Sequence, residues 1–343
     1  GYTGYTKLMT NVGQTSNRGI ELQLNAWLIE TKDFSLNATF NIGHNKNKID
    51  KLASGEKEWI LTSAWRNDVV NSDDYRAYVG GTSGLIYGYV NDGFYTVADF
   101  ESFDSKSRTW KLKEGVVDSS PLSDTPRPGN AKFKKLTPVD PNSTNPYQLT
   151  EADRTVIGNT TPKFSGGFGL NATYKGFDMS AFFNFMYDFD VLNANKIMLT
   201  TWADNKENNF LMDIASDKRW RNFDDMGNEI RYSPEVLAEF NKNATMWNPT
   251  SIGRPICMSY AVEDGSFLRL NSATLGYTLP SVWTKKVGLS KVRFYVSGNN
   301  LFTLTGYSGY DPEVNIATGL TPNIDYDRYP RSRTYTFGAQ LTF

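Results

Sequence analysis

The sequence predicts an all-β chain: about seven antiparallel strands forming part of a large transmembrane β-barrel with long extracellular loops. Three observations carry that expectation. Apolar and polar residues alternate with period two in several segments, the connections between segments alternate between tight turns and long polar stretches, and no run is long and apolar enough for a spanning helix.

The elements follow in chain order. Residues 18–29 put Ile20, Leu22, Leu24, Ala26 and Leu28 on one face and Glu21, Gln23, Asn25 and Trp27 on the other. A short turn at Thr31 to Asp33 leads into Phe34, Leu36, Ala38, Phe40 and Ile42, with Ser35, Asn37, Thr39 and Asn41 opposite. The design returns at 163–174 (Phe168, Leu170, Ala172, Tyr174), where Lys175 and Gly176 turn the chain into Phe177, Met179, Ala181, Phe183, Phe185 and Tyr187. A third pair joins 266–279 to 291–303 through a link containing Pro280, and places Arg293, Tyr295, Ser297 and Asn299 on the polar face. Within 266–279, Leu268 and Leu270 have the opposite parity to Leu275 and Tyr277, so a bulge or a strand-end effect is expected there. The last strand, 331–343, alternates Tyr335, Phe337, Ala339, Leu341 and Phe343 with Thr334, Thr336, Gly338, Gln340 and Thr342.

Alternation alone fits a soluble sandwich as well as a barrel. The connection lengths decide. Polar segments of about 44–162, 189–265 and 304–331 separate the hairpins, and long loops at one end with short turns at the other are the asymmetry of barrels with periplasmic turns and extracellular loops. Counting back from Phe343, every short turn falls on the periplasmic side. Seven strands do not close a large barrel, and open edges are not viable in lipid. Residues 1–343 are therefore expected to be the C-terminal part of one barrel whose earlier strands lie outside this sequence.

Composition excludes other classes. With 36 Lys and Arg against 37 Asp and Glu, no net field attracts nucleic acid. Aromatics at 14% with a negative mean hydropathy suit half-apolar strands bearing polar loops. The single Cys257 rules out an internal disulfide framework and a multi-thiolate zinc site. His44, the one histidine, reads as a residue of the extracellular rim just past a strand end, and the pairs Asp73-Asp74 and Asp224-Asp225 read as solvent-facing. No catalytic residue, metal or cofactor is expected, and the protein is not read as an enzyme. The substrate-binding candidates are loop aromatics: Trp59, Trp65, Tyr87 and Tyr89 in the first long loop, and Trp202, Trp220 and Trp247 in the second. Flat rings with polar edges suit sugar faces or peptide backbones. The competing role for each ring is to pack the loops together or against a lid.

Five blocks carry a family resemblance: NVGQTSNRGIEL at 11–22, YGYVNDGFY at 87–95, DRTVIGNTTPKFSGG at 153–167, SFLRLNSATLGYTLP at 266–280 and VSGNNLFTLTGYSGYDPEVN at 296–315. In this order the chain resembles the C-terminal portion of SusC/RagA-type TonB-dependent transporters of the Bacteroidota. The resemblance implies an outer-membrane barrel of ~22 strands around a plug. It further implies import of oligosaccharides or oligopeptides driven through TonB, ExbB and ExbD, with a SusD-like surface lipoprotein as lid. The plug and the TonB-contacting segment are N-terminal in the family and fall outside this sequence. Tyr335, Phe337, Leu341 and Phe343 resemble the signal for barrel insertion. One departure concerns LTPVDPNSTNPYQLTEAD, which offers Asp140, Asn142, Asn145, Glu151 and Asp153 without the glycine of a calcium loop and reads as a stiff solvated loop. The alternative function is a SusC-like barrel serving as a structural subunit of a larger outer-membrane assembly with further subunits.

Overall fold

The structure, a computed structural model, describes residues 13–66, 69, 73–123, 125–201, 209–313, 315 and 319–343. The alternating segments form one antiparallel sheet of seven strands in chain order: β1 (Gln14–Glu30), β2 (Phe34–Lys51), β3 (Phe164–Tyr174), β4 (Phe177–Tyr187), β5 (Phe267–Thr278), β6 (Lys291–Thr305) and β7 (Thr334–Thr342). The links at one end are tight. Thr31 donates its amide to the Phe34 carbonyl at 2.8 Å between β1 and β2. Lys175 (φ 44°) and Gly176 (φ 89°) both take the left-handed region between β3 and β4, the requirement of a two-residue type I′ turn that glycine meets without strain.

Two features differ from the alternation pattern. β2 continues to Lys51, paired back to Gln14 of β1, although alternation ends near Gly43 and predicts loop from 44. A ladder needs only backbone groups, so the charged run after Gly43 extends the hairpin. His44 is accordingly a strand residue opposite Ile20, with Nδ1 2.6 Å from the Lys163 carbonyl oxygen, rather than a loop residue past the strand end. In β5, both neighbouring strands skip Asn271. This bulge returns Leu268 and Leu270 to the same face as Leu275 and Tyr277, resolving the parity conflict.

The pairing sets continuous rows on the apolar face. One runs Leu36, Ala172, Met179, Leu275, Val296 and Phe337 across six strands. Nearer the tight turns, Phe34, Tyr174, Phe177, Tyr277 and Phe294 form an aromatic row, with Phe177 and Tyr277 centroids 4.5 Å apart. This face is bare: Ile20 is 78% and Phe337 81% exposed. An apolar band with an aromatic girdle is what lipid covers in a barrel. On the other face the strands bond each other through side chains: Asn37 to Asn25 at 2.8 Å, Ser35 to Thr173 at 2.6 Å, Thr274 to Ser297 at 2.8 Å and Arg293 to Asp178 at 2.8 Å.

The buried core lies in the long loops. Strands Glu58–Leu61, Tyr75–Tyr78, Leu85–Gly88 and Thr155–Asn159 form a four-stranded sheet in the first loop. Asp190–Asn193 of the second loop pairs antiparallel with Val262–Asp264 and parallel with Ile324–Asp325 of the third. Tyr75, Ile86, Leu192, Ile197 and Ile324 share one buried cluster, so the three loops form a folded body with a common interior.

Candidate functional site: the loop body over the barrel wall

The loop body is anchored to the wall by a buried charge cluster. Arg269 follows Leu268 in β5, points to the polar face and has no exposed surface. Its guanidinium donates to Asp311 through Nη2 (2.6 Å) and Nη1 (3.1 Å), and through Nη1 to Asn300 Oδ1 (2.9 Å). Glu313 lies 3.1 Å from Arg269 and 3.3 Å from Arg331. Asn300, at φ 53°, sits where β6 breaks register opposite the β5 bulge, and its Nδ2 donates to the Arg331 and Ser332 carbonyls. A buried cation is tolerated only when carboxylates and hydrogen bonds compensate it, here through the two Nη groups.

Carboxylates with several donors stitch the loops themselves. Tyr307 donates to Asp325 at 2.7 Å and Asn195 donates to its other oxygen at 3.1 Å; burial pushes the Asp325 carboxyl above its ordinary range despite these bonds. Glu263 accepts from Asn193 (3.0 Å) and Ser308 (2.8 Å) and pairs with Lys196 at 3.4 Å. Asp153, expected in a solvated loop, is fully buried. It accepts from the amides of Leu136 (2.9 Å), Thr137 (2.7 Å) and Thr150 (2.8 Å) and from both threonine hydroxyls. Burial would raise its pKa, but the Thr137, Thr150 and Leu136 donors outweigh burial and hold the carboxyl well below the ordinary range. Asp74, read from sequence as solvent-facing, is also buried; desolvation pushes it up to about 6 against the bonds it accepts from Ser63.

The aromatic candidates divide by burial. Trp65, Tyr89, Trp220 and Trp247 are between 1% and 6% exposed and sit inside three separate loop clusters. Trp247 donates its indole N–H to the Thr200 carbonyl at 3.2 Å and meets Tyr260 edge to face at 4.7 Å. These four lie in the interior of the loops, the competing packing role for each ring, where ring area removed from water stabilises the loop body. Trp59 and Tyr87 are half-buried: Trp59 donates to Glu56 and packs on the Ile49 cluster, while Tyr87 lies under Arg154 (4.5 Å) and Arg76 (5.4 Å). Trp202 lies outside the described residues. At the C-terminal end Tyr335, Phe337, Leu341 and Phe343 are between 52% and 90% exposed, the first three on the apolar face of β7.

Sequence reasoning missed Arg269, Asp311, Glu313 and Asp153. A lone arginine inside the apolar run Phe267–Leu270 was the available signal, since such a charge requires a partner.

No family model matches the chain. It is 32% identical over its full length to TonB-dependent receptor P3 of Formosa agariphila. It is also 26% identical over 99% of its length to TonB-dependent receptor SusC of Bacteroides thetaiotaomicron. Over its whole length the chain is similar to TonB-dependent receptors, SusC among them. It spans about a third of the length of these curated relatives, 30% of the first. The fold agrees: the structure of the RagAB peptide transporter superimposes with a TM-score of 0.65 over the whole chain at 22% identity, covering 31% of that chain. The 'open-open' RagAB importer structure gives 0.64 at 23% identity. TonB-dependent receptors are outer-membrane β-barrels, and the seven-stranded sheet matches a portion of such a barrel.

Proposed function

We propose that this chain supplies wall and mouth to a TonB-dependent importer of oligosaccharides or oligopeptides, acting by gated permeation without covalent chemistry. The observation that carries the reading is the division of the sheet: an apolar outer face continuous across the strands, and a lumenal face of hydrogen-bonding groups. Asn25, Asn37, Thr274 and Ser297 offer donors and acceptors without net charge, which lets polar solutes and water pass along the wall.

The loop body is the proposed docking surface for a SusD-like lipoprotein lid. Three loops held by one interior keep a fixed shape at the mouth, the preorganisation a lid needs. Of the aromatic candidates, Trp59 and Tyr87 are proposed to meet solute with their ring faces, while the rings of the buried four set loop shape. Energy coupling is proposed to run through TonB contacts outside this sequence.

Solute uptake by cells carrying the full-length receptor tests the reading. Uptake is expected to disappear when TonB is deleted; uptake independent of TonB overturns it. Co-purification of one surface lipoprotein with the receptor supports the lid, whereas a set of unrelated outer-membrane subunits supports the structural-subunit alternative.

A further inference from the structure

The described residues enclose an open cleft of about 610 Å³ between the second long loop and residues 127–130 of the first. Arg127, Arg219, Arg221 and Arg231 line it, and Asp224 is the carboxylate among the lining residues. Asp224 is turned to its own turn, accepting from Asn228 Nδ2 at 2.9 Å and from the Met226 and Asn228 amides. Arg221 pairs with Asp225 at 2.8 Å, and Arg231 lies 2.5 Å from Glu229. Arg219 donates to the Ile214 carbonyl at 3.4 Å and, among the described residues, to no carboxylate. The guanidinium of Arg221 rests on Phe240 at 4.4 Å, which fixes its plane.

Two buried donors complete the lining. Trp220 Nε1, on a residue 2% exposed, and Asn130 Nδ2, on a residue 4% exposed, have no hydrogen-bond partner among the described residues, and both residues line the cleft. Buried donors are rarely left unmet in a folded protein. Their positions are built in: Trp220 donates its amide to the Met246 carbonyl at 2.8 Å, and its ring lies against the Cα of Gly129, where a Cβ would come within 2.2 Å of Cδ1. The chain at Gly129 also takes φ 89°, so glycine is required twice over.

We propose that this cleft binds an oxyanion, a carboxylate or a sulfate ester, carried by a solute that reaches the loop body. Among the described residues, the buried side-chain atoms of the lining left without a partner are all donors, and the forked guanidinium matches the oxygens of such an anion. The proposal concerns binding in the loops and stands whether or not the barrel imports what it binds.

The test uses full-length receptor purified in detergent, with inorganic sulfate titrated calorimetrically against a chloride background. Trp220→Phe removes the indole N–H and keeps the ring; Arg219→Ala removes the uncompensated guanidinium. Each is expected to weaken sulfate binding about tenfold, the scale of one hydrogen bond to a charged group, with unchanged circular dichroism. Arg219→Lys should retain part of the affinity. Oligogalacturonate and a tetraglutamate peptide, run as competitors, identify the carrier by which displaces sulfate more tightly. Sulfate that does not bind, that binds both variants like the parent, or that is displaced equally by neutral maltotetraose overturns the proposal.

Discussion

Arg269 of β5 and Asp311 of the third long loop meet through two hydrogen bonds, Nη2 to Oδ1 at 2.6 Å and Nη1 to Oδ2 at 3.1 Å, although they stand 42 positions apart in the chain. The pair ties a barrel strand to a loop whose only strand among the described residues is Ile324–Asp325. Removing one partner leaves the other charge buried and unmatched, which costs about 3–5 kcal/mol. Arg269→Met is thus expected to release residues 306–331, read as faster amide exchange and protease cleavage there, while the sheet remains folded. Arg269→Lys should rescue little, because an ammonium does not reproduce the fork.

Burial assigns the aromatic rings opposite outcomes. Trp220→Ala and Trp247→Ala empty the centres of loop clusters and are expected to destabilise the loop body by about 3–5 kcal/mol. Trp59→Ala should leave that stability nearly intact and weaken solute binding. Differential amide exchange together with equilibrium binding on the full-length receptor separates the two effects.

Much of this was legible in the sequence, and the reason is geometric. A strand with lipid on one side and a lumen on the other must alternate, so Leu170 to Tyr187 revealed two strands and their turn at once. The conflict between Leu270 and Leu275 even announced the bulge at Asn271. Alternation fell silent beyond Gly43, where β2 runs on through polar and charged residues and Ile49 packs into the loop body. It was equally silent in the loops, whose order rests on contacts remote in sequence: Tyr75 donates to the Pro322 carbonyl, and Asp153 gathers donors from 136–137 and 150. Burial of Trp65, Trp220 and Trp247 was hidden for the same reason, since a ring in a polar segment looks alike whether its neighbours in space are water or other rings.

Asp74 makes the first loop pH-sensitive. Burial pushes its carboxyl up to about 6 from the ordinary 3.8, so between these pH values the folded loop holds more protons than the unfolded one. Stability contributed by this group is therefore greatest near pH 4, falls as pH rises to about 6 and is flat above. The full span is on the order of 3 kcal/mol. Amide exchange of Tyr75–Tyr78 at pH 5 and pH 7, corrected for intrinsic rates, should show slower opening at pH 5, and Asp74→Asn should abolish the difference.

The two faces of β5 should respond differently to charge. Leu275 is 50% exposed on the apolar face, whereas Thr274 bonds Ser297 on the other. Leu275→Arg is expected to cost up to about 2–4 kcal/mol in a bilayer, and Thr274→Arg under about 1 kcal/mol. Urea unfolding of the full-length receptor in lipid vesicles measures both.

The barrel-wall reading is tested most directly by spin labels placed singly at Leu268, Leu270, Thr274, Leu275 and Tyr277 in a Cys257→Ala background of the full-length receptor. Collision with oxygen reports lipid and collision with a water-soluble nickel chelate reports lumen. The reading predicts lipid exposure at Leu268, Leu270, Leu275 and Tyr277 and water exposure at Thr274, with the phase reset at Asn271. Unbroken alternation through Asn271, or Leu275 and Tyr277 in water, would contradict it.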